Sequence, residues 1–170
     1  MEVDEAIRLR RTHKQYGPTP VDDETLRSLL ELARWAPNHH MTQPTQLRVL
    51  GPETRARLEQ ACGEKEAAKL RRAPTLVLAT ALLGSGDPRT DAEDLQSTAC
   101  AVYAILLGAT ARGLASYWRT PEALDQPEPR AVLGLDPEER VIGLVHLGPP
   151  ASEPPVKERS PLTEVVRYLA

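Results

Sequence analysis

Residues 75–82, Thr-Leu-Val-Leu-Ala-Thr-Ala-Leu, form a short apolar run between Pro74 and Gly84. A continuous apolar run of this length between turn-forming residues is typical of a strand buried on both faces. A second run, Val-Ile-Gly-Leu-Val-His-Leu at residues 141–147, is closed by Gly148 and also predicts a strand. The other predicted elements lie between and on either side of these two strands.

The longest predicted helix covers residues 92–112 and ends at Gly113. Positions beside its apolar stripe are also largely apolar, which indicates a central helix or one at an oligomer interface. The stripe consists of Leu95, Ala99, Val102, Leu106 and Ala109.

The other elements are shorter. Asp22 is the predicted N-cap of a helix that buries Leu26, Leu29, Leu30 and Ala33. Further helices are predicted at residues 3–11, 53–61, 64–72 and 130–133 and directly after Thr120-Pro121, with strands at 46–50 and 114–118 and a loop at 84–90. Because strands and helices mix along the chain, the fold class is α+β or α/β.

The chain of 170 residues contains no linker that would divide it, so residues 1–170 are predicted to form a single domain. The Pro-rich stretch 151–161 is expected to be extended. Residues 162–169 regain apolar character, and we expect them to dock on their own domain or on a partner.

Composition excludes several classes of protein. The net charge of −3 argues against a nucleic-acid binder that works through bulk positive charge. No apolar run reaches the ~20 residues of a membrane span, and the acidic N-terminus does not resemble a signal peptide. With two cysteines and no Cys-x-x-Cys pair, a cytoplasmic protein is expected. The absence of Phe predicts a core of Leu, Val, Ile and Ala.

Residues 10–14, Arg-Arg-Thr-His-Lys, place two arginines, a hydroxyl and a lysine together. Guanidinium groups bind phosphate bidentately, and a hydroxyl can serve a remaining phosphate oxygen. The alternative is a solvated basic helix end that complements the helix dipole.

Two other groups of residues could carry chemistry. Asn38-His39-His40 with Gln43 crowd polar side chains into a loop, which suits ligand binding or simple loop capping. No carboxylate accompanies the histidines at metal-ligand spacing, so no metal site is predicted. Residues 113–120, Gly-Leu-Ala-Ser-Tyr-Trp-Arg-Thr, could form a second pocket wall or an ordinary sheet edge. No signature of a catalytic nucleophile is present.

Taken together and in order, these segments resemble the nitroreductase family of flavin enzymes. Residues 10–14 are similar to its Arg-Arg-Ser-x-Arg/Lys motif, and residues 33–44 to its Ala-x-x-Ala-Pro-Ser/Asp-x-x-x-x-Gln-Pro-Trp loop. Residues 113–118 resemble its Gly-Leu-x-x-x-Trp segment, and residues 141–150 its closing strand and Gly-x-Pro. The chain departs from the pattern at Thr45, where the family usually has Trp.

The resemblance implies an α+β fold with a central, mostly antiparallel sheet flanked by helices. It also implies FMN as cofactor and a homodimer with FMN sites at the subunit interface, with residues 149–170 packing on the partner. The implied cofactor-binding residues are Arg10, Arg11, Thr12, Lys14, His39, Gln43, Trp118, Arg119 and Thr120. The implied nicotinamide-nucleotide stretch is Gly108, Ala109, Thr110, Ala111, Arg112 and Gly113.

The function that follows from the resemblance is hydride transfer from NAD(P)H to flavin and reduction of a small organic acceptor, such as a nitroaromatic, a quinone or an enal, by a ping-pong mechanism. Because the flavin carries the redox chemistry, no protein nucleophile is required. Two alternatives stay open from the sequence: an FMN-binding protein without turnover, used in flavin storage or sensing, and a flavin-free structural dimer.

Overall fold

Four antiparallel strands form one sheet in the computed structural model, which describes residues 1–169. The strands are β1 (Thr45–Val49), β2 (Thr75–Leu82), β3 (Ala115–Arg119) and β4 (Glu139–Gly148). Their order in the sheet is β1-β2-β4-β3, so the two apolar runs, 75–82 and 141–147, are neighbours in the middle. Of the two predicted fold classes, the antiparallel sheet confirms α+β.

Helices cover both faces of the sheet. The helices are α1 (Val3–Leu9), α2 (Asp23–Ala33), α3 (Pro52–Cys62), α4 (Glu64–Leu70), α5 (Pro88–Ala111), α6 (Pro127–Leu133) and α7 (Leu162–Val165). One face of the sheet packs against α2 and α5, and the other packs against α3, α4 and α6. Short 3-10 helices lie at His39–Met41 and Glu122–Asp125, the second where a helix was predicted after Thr120-Pro121.

Each face of the sheet has its own apolar cluster, and both are built from the predicted residue types. The first joins Leu29 of α2, Ile105 of α5 and Val145 of β4. The second joins Leu58 of α3, Leu70 of α4 and Leu144 of β4. Adjacent residues of β4 therefore serve opposite cores, as the two-residue period of a strand requires.

The long helix α5 begins earlier than the sequence predicts. Asp87 accepts hydrogen bonds from the backbone N–H groups of Arg89 and Thr90, and Pro88 occupies the first helical turn. Asp at the N-cap followed by Pro is a strong helix start. The loop prediction for residues 84–90 is therefore wrong for 88–90.

The two ends of the chain meet beside the sheet. Tyr16 forms an isolated β-bridge with Pro150, and the Gly17 N–H donates to the Pro149 carbonyl at 2.8 Å. Beyond this point the tail stays exposed: Leu162, Val165, Tyr168 and Leu169 all remain in solvent. The expected docking of residues 162–169 therefore does not occur on their own protomer, and Ala170 lies outside the described residues.

Within residues 1–169, no helix is long and apolar enough to cross a membrane. The same part of the chain holds no group of three or more His, Cys, Asp or Glu side chains placed to bind a metal ion.

Candidate functional site

The basic segment 10–14 leaves α1 and runs beside the start of β3. The backbone N–H of His13 donates to the Ser116 carbonyl at 3.0 Å. This bond brings two of the three sequence segments with predicted site residues together, namely 10–14 and 113–120. Their proximity results from tertiary structure, since about a hundred residues separate them in the chain.

The cations of this segment differ in their partners. The Arg11 guanidinium donates to the carbonyls of Arg8 and Arg10, so it caps the end of α1. The side chains of Arg10, Thr12 and Lys14 make no hydrogen bond or ion pair within residues 1–169. Three donors without a partner on one five-residue segment, two of them charged, are suited to an anion.

Strand β3 presents its alternate residues to different layers. Trp118 faces α5 and packs against the first apolar cluster, and its indole N–H donates to the Ile142 carbonyl at 2.9 Å. The β2–β4 register shifts at this point: Ala79 pairs with Gly143 and Thr80 pairs with Val141, which leaves Ile142 as an extra residue. This bulge turns a main-chain acceptor toward the indole.

Gly143 makes room for the same indole. A Cβ built at Gly143 would lie 2.1 Å from Trp118 Nε1 and 2.8 Å from the Arg119 carbonyl oxygen. Any side chain at residue 143 would therefore displace Trp118 or the backbone of β3.

The guanidinium of Arg119 points to the opposite layer of helices. It is 9% exposed, and its Nη2 donates to Glu66 Oε2 of α4 at 2.8 Å. Burial alone would raise the pKa of Glu66, but hydrogen bonds from Lys69 and Arg119 outweigh it and the pKa is lowered. Because the Arg119 side chain lies on the α4 side of the sheet, only its backbone could contact a flavin on the α5 side. The next residue, Thr120, is exposed.

His146 lies near Arg119 beneath the sheet. Its ring is 1% exposed, neither of its nitrogens has a hydrogen-bond partner within residues 1–169, and its centroid lies 5.9 Å from that of Tyr117. Burial, reinforced by the positive charges of Arg119, Arg55 and Arg72, lowers its pKa to about 3. His146 is therefore neutral at pH 7 and adds no positive charge to this layer.

The third sequence segment, residues 38–43, forms a loop at the other end of the sheet. His40, Met41 and Gln43 have φ values of 55°, 55° and 51°, a left-handed conformation that is uncommon without glycine. Asn38 bridges the loop, since its Oδ1 accepts from Gln43 N at 2.6 Å and its Nδ2 donates to Thr42 Oγ1 at 2.9 Å. The loop forms one wall of a pocket of about 440 Å³ with Trp35 and Leu47.

One protomer does not unite this loop with the basic segment. The basic segment contacts Ser116, which is aligned with Thr75 of β2 through Leu147 of β4. The loop leads through Pro44 into Thr45, which is aligned with Ala81 of β2. Six residues along β2 correspond to roughly 20 Å at 3.3 Å per residue. The two groups also lie toward different edge strands, β3 and β1. The predicted cofactor residues therefore form two half-sites.

The stretch 108–113 is only partly accessible. Gly108 and Ala109 are buried, and a Cβ built at Gly108 would lie 2.4 Å from the Leu32 side chain of α2. This glycine allows close packing of α5 on α2. Ala111, Arg112 and Gly113 are exposed, so a nucleotide would meet this stretch at its C-terminal end.

The sequence model of the nitroreductase family matches residues 7–149 of this chain. The chain belongs to the nitroreductase family. Membership confirms the family predicted from the motifs and the predicted enzyme class, a nitroreductase-like oxidoreductase. The matched residues include both half-sites and all four strands.

Relatives of similar length support the assignment. A Bacillus subtilis protein named "Putative NAD(P)H nitroreductase YfhC" is 25% identical over 174 residues, covering 93% of this chain and 89% of its own. A nitroreductase-like family protein from Bacillus cereus has the same fold, with a TM-score of 0.89, 24% identity and coverage of 99% and 96%. A Desulfovibrio desulfuricans structure, a "putative nitroreductase in complex with fmn", is 28% identical, with a TM-score of 0.81 and coverage of 99% and 96%.

Sequence reasoning missed two residues that shape the half-sites of this nitroreductase family member. Asp94 is 5% exposed and accepts a hydrogen bond from Thr42, and Gly143 accommodates Trp118. Asp94 stands among other polar residues, such as Glu93 and Gln96, so no local signal singles out its burial. No local signal marks Gly143.

Proposed function

We propose that the protein is an FMN-dependent oxidoreductase that takes a hydride from NAD(P)H and reduces a small organic acceptor in two half-reactions. The observation that carries the proposal is the cluster of unpartnered donors at Arg10, Thr12 and Lys14, in a chain of the nitroreductase family. The names of its relatives, which refer to NAD(P)H and FMN, agree with it. Nitroaromatics, quinones and enals are the acceptor classes we expect.

The basic half-site fits the FMN phosphate. A phosphate monoester carries close to two negative charges and several acceptor oxygens, and a guanidinium, a hydroxyl and an ammonium supply complementary donors. Because Arg10 and Lys14 have no carboxylate partner within residues 1–169, phosphate binding would break no ion pair. Bound FMN would supply reversible two-electron transfer between NAD(P)H and the acceptor.

The residues around the flavin ring would orient it and stabilise negative charge on it. Lys14 beside the pyrimidine edge would favour negative charge there, because a nearby cation stabilises an anion in a water-poor site. Trp118, held by Ile142, would provide a rigid apolar wall. His39 and Gln43 would contribute contacts from the loop, and the exposed end of residues 108–113 would meet the nicotinamide nucleotide.

A homodimer with two FMN sites at its interface is the assembly we propose. The roughly 20 Å between the two half-sites along the strand direction supports an arrangement in which one protomer's basic segment meets its partner's loop 38–43. Exposed apolar side chains support an interface, among them Ile7 of α1 and Leu162, Val165 and Tyr168 of the tail. Residues 149–170 would then cover their apolar side chains on the partner.

Two spectroscopic experiments test the proposal. First, purified protein is incubated with excess FMN, desalted and scanned; flavin absorption bands that remain with the protein are expected. Second, the loaded protein is titrated anaerobically with NADH and with NADPH, and bleaching of the flavin bands by at least one of them is expected. A colourless protein would refute FMN binding. Retained flavin that neither nucleotide bleaches would contradict the NAD(P)H activity and favour storage or sensing.

A further inference from the structure

Loop 38–43 is tied to α5 by a continuous chain of hydrogen bonds. The Gln43 N–H donates to Asn38 Oδ1, Asn38 Nδ2 donates to Thr42 Oγ1, and the Thr42 hydroxyl donates to Asp94 Oδ1. Every link thus has a donor and an acceptor, and the chain ends on a buried carboxylate of a rigid helix. A buried carboxylate is retained only where it has hydrogen-bond partners, and Thr42 supplies one.

The same bonds enclose the most strained backbone of the described chain. Three of the six loop residues, His40, Met41 and Gln43, are left-handed without being glycine. Such a conformation persists only where the surrounding structure determines it, and such residues cluster at functional sites. The loop's other contact with α5 is longer, since His39 Nε2 lies 3.8 Å from Glu93 Oε2, and the His39 side chain is exposed. The chain from Gln43 to Asp94 is therefore the main set of hydrogen bonds that holds the strained form.

We propose that Asp94 and Thr42 are positioning residues, which hold loop 38–43 in its strained conformation as a preformed wall of the FMN site. The functional part of this proposal rests on the proposed function, whereas the positioning itself does not. Asp94 acts through Thr42 and Asn38 and is not a catalytic residue. Met41 and Gln43, two of the left-handed residues, line the pocket together with Trp35.

The experiment compares Thr42→Val, which removes the hydroxyl at equal volume, with Thr42→Ser, which retains it. The dissociation constant for FMN is measured by quenching of flavin fluorescence. Hydrogen exchange of the Gln43 amide, followed by NMR, measures the loop without reference to FMN. We expect Thr42→Val to weaken FMN binding roughly tenfold and to accelerate exchange by a similar factor, as loss of a hydrogen bond to a charged group predicts. Thr42→Ser should stay within about twofold of the wild type.

A rescue experiment separates positioning from ordinary destabilisation. His40→Gly and His40→Ala remove the same ring, but only glycine adopts positive φ without steric cost. Added to Thr42→Val, His40→Gly should restore most of the FMN affinity, whereas His40→Ala should not. Asp94→Asn, which keeps an acceptor for the Thr42 hydroxyl, should lose less affinity than Asp94→Ala.

The outcomes are distinguishable. Unchanged FMN affinity and unchanged Gln43 exchange in Thr42→Val would overturn the proposal, as would equal effects of Thr42→Val and Thr42→Ser or equal rescue by glycine and alanine. If the wild type binds no FMN, the proposed function fails, and the exchange data still decide whether Asp94 and Thr42 hold the loop.

Discussion

The two half-sites satisfy their polar groups in opposite ways. In the basic segment, Arg10, Thr12 and Lys14 have no protein partner within residues 1–169. In loop 38–43, the side chains of Asn38 and Thr42 are used by the protein itself, in a chain that ends on Asp94. The basic half-site is therefore suited to take up a ligand's charge, whereas the loop offers a fixed shape.

The two half-sites also lose conformational freedom at different stages, the loop on folding and the basic segment on ligand binding. Left-handed non-glycine residues cost of order 1–3 kcal/mol each, and the loop meets this cost during folding through its hydrogen bonds. The side chains of Arg10 and Lys14 keep their freedom until a ligand arrives, so ordering them opposes binding. Variants of the two half-sites should accordingly differ in what they change.

The largest effect should come from recombining damaged half-sites. Arg10→Ala and Thr42→Val chains, carrying different tags, are co-expressed, and the heterodimer is purified. If each FMN site takes one half from each protomer, the heterodimer contains one intact site, and FMN should bind tightly at one per dimer. Titration of flavin fluorescence gives the stoichiometry. Tight binding at neither site would contradict the shared arrangement, and both homodimers serve as controls.

Gly143→Ala should damage the basic half-site through Trp118. The added Cβ has no space beside the indole nitrogen or the Arg119 carbonyl, so we expect the free energy of unfolding to fall by about 3 kcal/mol, the upper end for overpacking. Urea denaturation measures this value. Gly51→Ala, where a Cβ meets nothing within 4 Å, should cost at most about 1 kcal/mol, because Gly51 is the N-cap of α3 and Ala is a poorer cap. Equal stability of the two variants would show that β3 adapts easily.

Arg10→Ala should weaken FMN binding without unfolding the chain. Loss of a charged hydrogen bond to phosphate predicts about 2 kcal/mol, or roughly 30-fold in the dissociation constant. Because Arg10 has no partner within residues 1–169, the free energy of unfolding of the FMN-free protein should be unchanged. Arg8→Ala in the preceding helix α1 is the matched control and should bind FMN normally. Equal losses in both variants would indicate a general charge effect.

The smallest effect concerns the layer beneath β3. The pKa of His146 is about 3 in the fold and 6.5 in the unfolded chain, so the unfolded chain binds more protons between these values. The contribution of neutral His146 to the free energy of unfolding is fully present above pH 6.5. Below pH 6.5 this contribution falls by about 1.4 kcal/mol per pH unit. Urea denaturation between pH 6.5 and 5.5, above the lowered pKa of Glu66, should show a shallower slope for His146→Leu than for the wild type. Identical slopes would mean that His146 becomes protonated in the fold.

Local patterns were sufficient to predict most of the elements. The apolar run 75–82 coincides with β2, and Asp22 caps α2 as predicted, since it accepts from Thr25 N at 2.8 Å. The start of α5 was misplaced because residues 84–90, with Gly84, Gly86 and Pro88, resemble a loop when the capping bonds of Asp87 are not visible. Tail residues 162–169 were expected to dock, and their exposure leaves the partner as the surface we propose.

The sequence by itself determined the family, the strands and the cluster of cations at residues 10–14, because motifs, apolar runs and charge are local properties. Only the tertiary structure decided that segment 10–14 meets β3 while loop 38–43 lies at the other end of the sheet. It alone turned Arg119 toward Glu66 and joined Thr42 to Asp94. These contacts depend on strand register and helix packing between residues more than fifty positions apart, which no local pattern specifies.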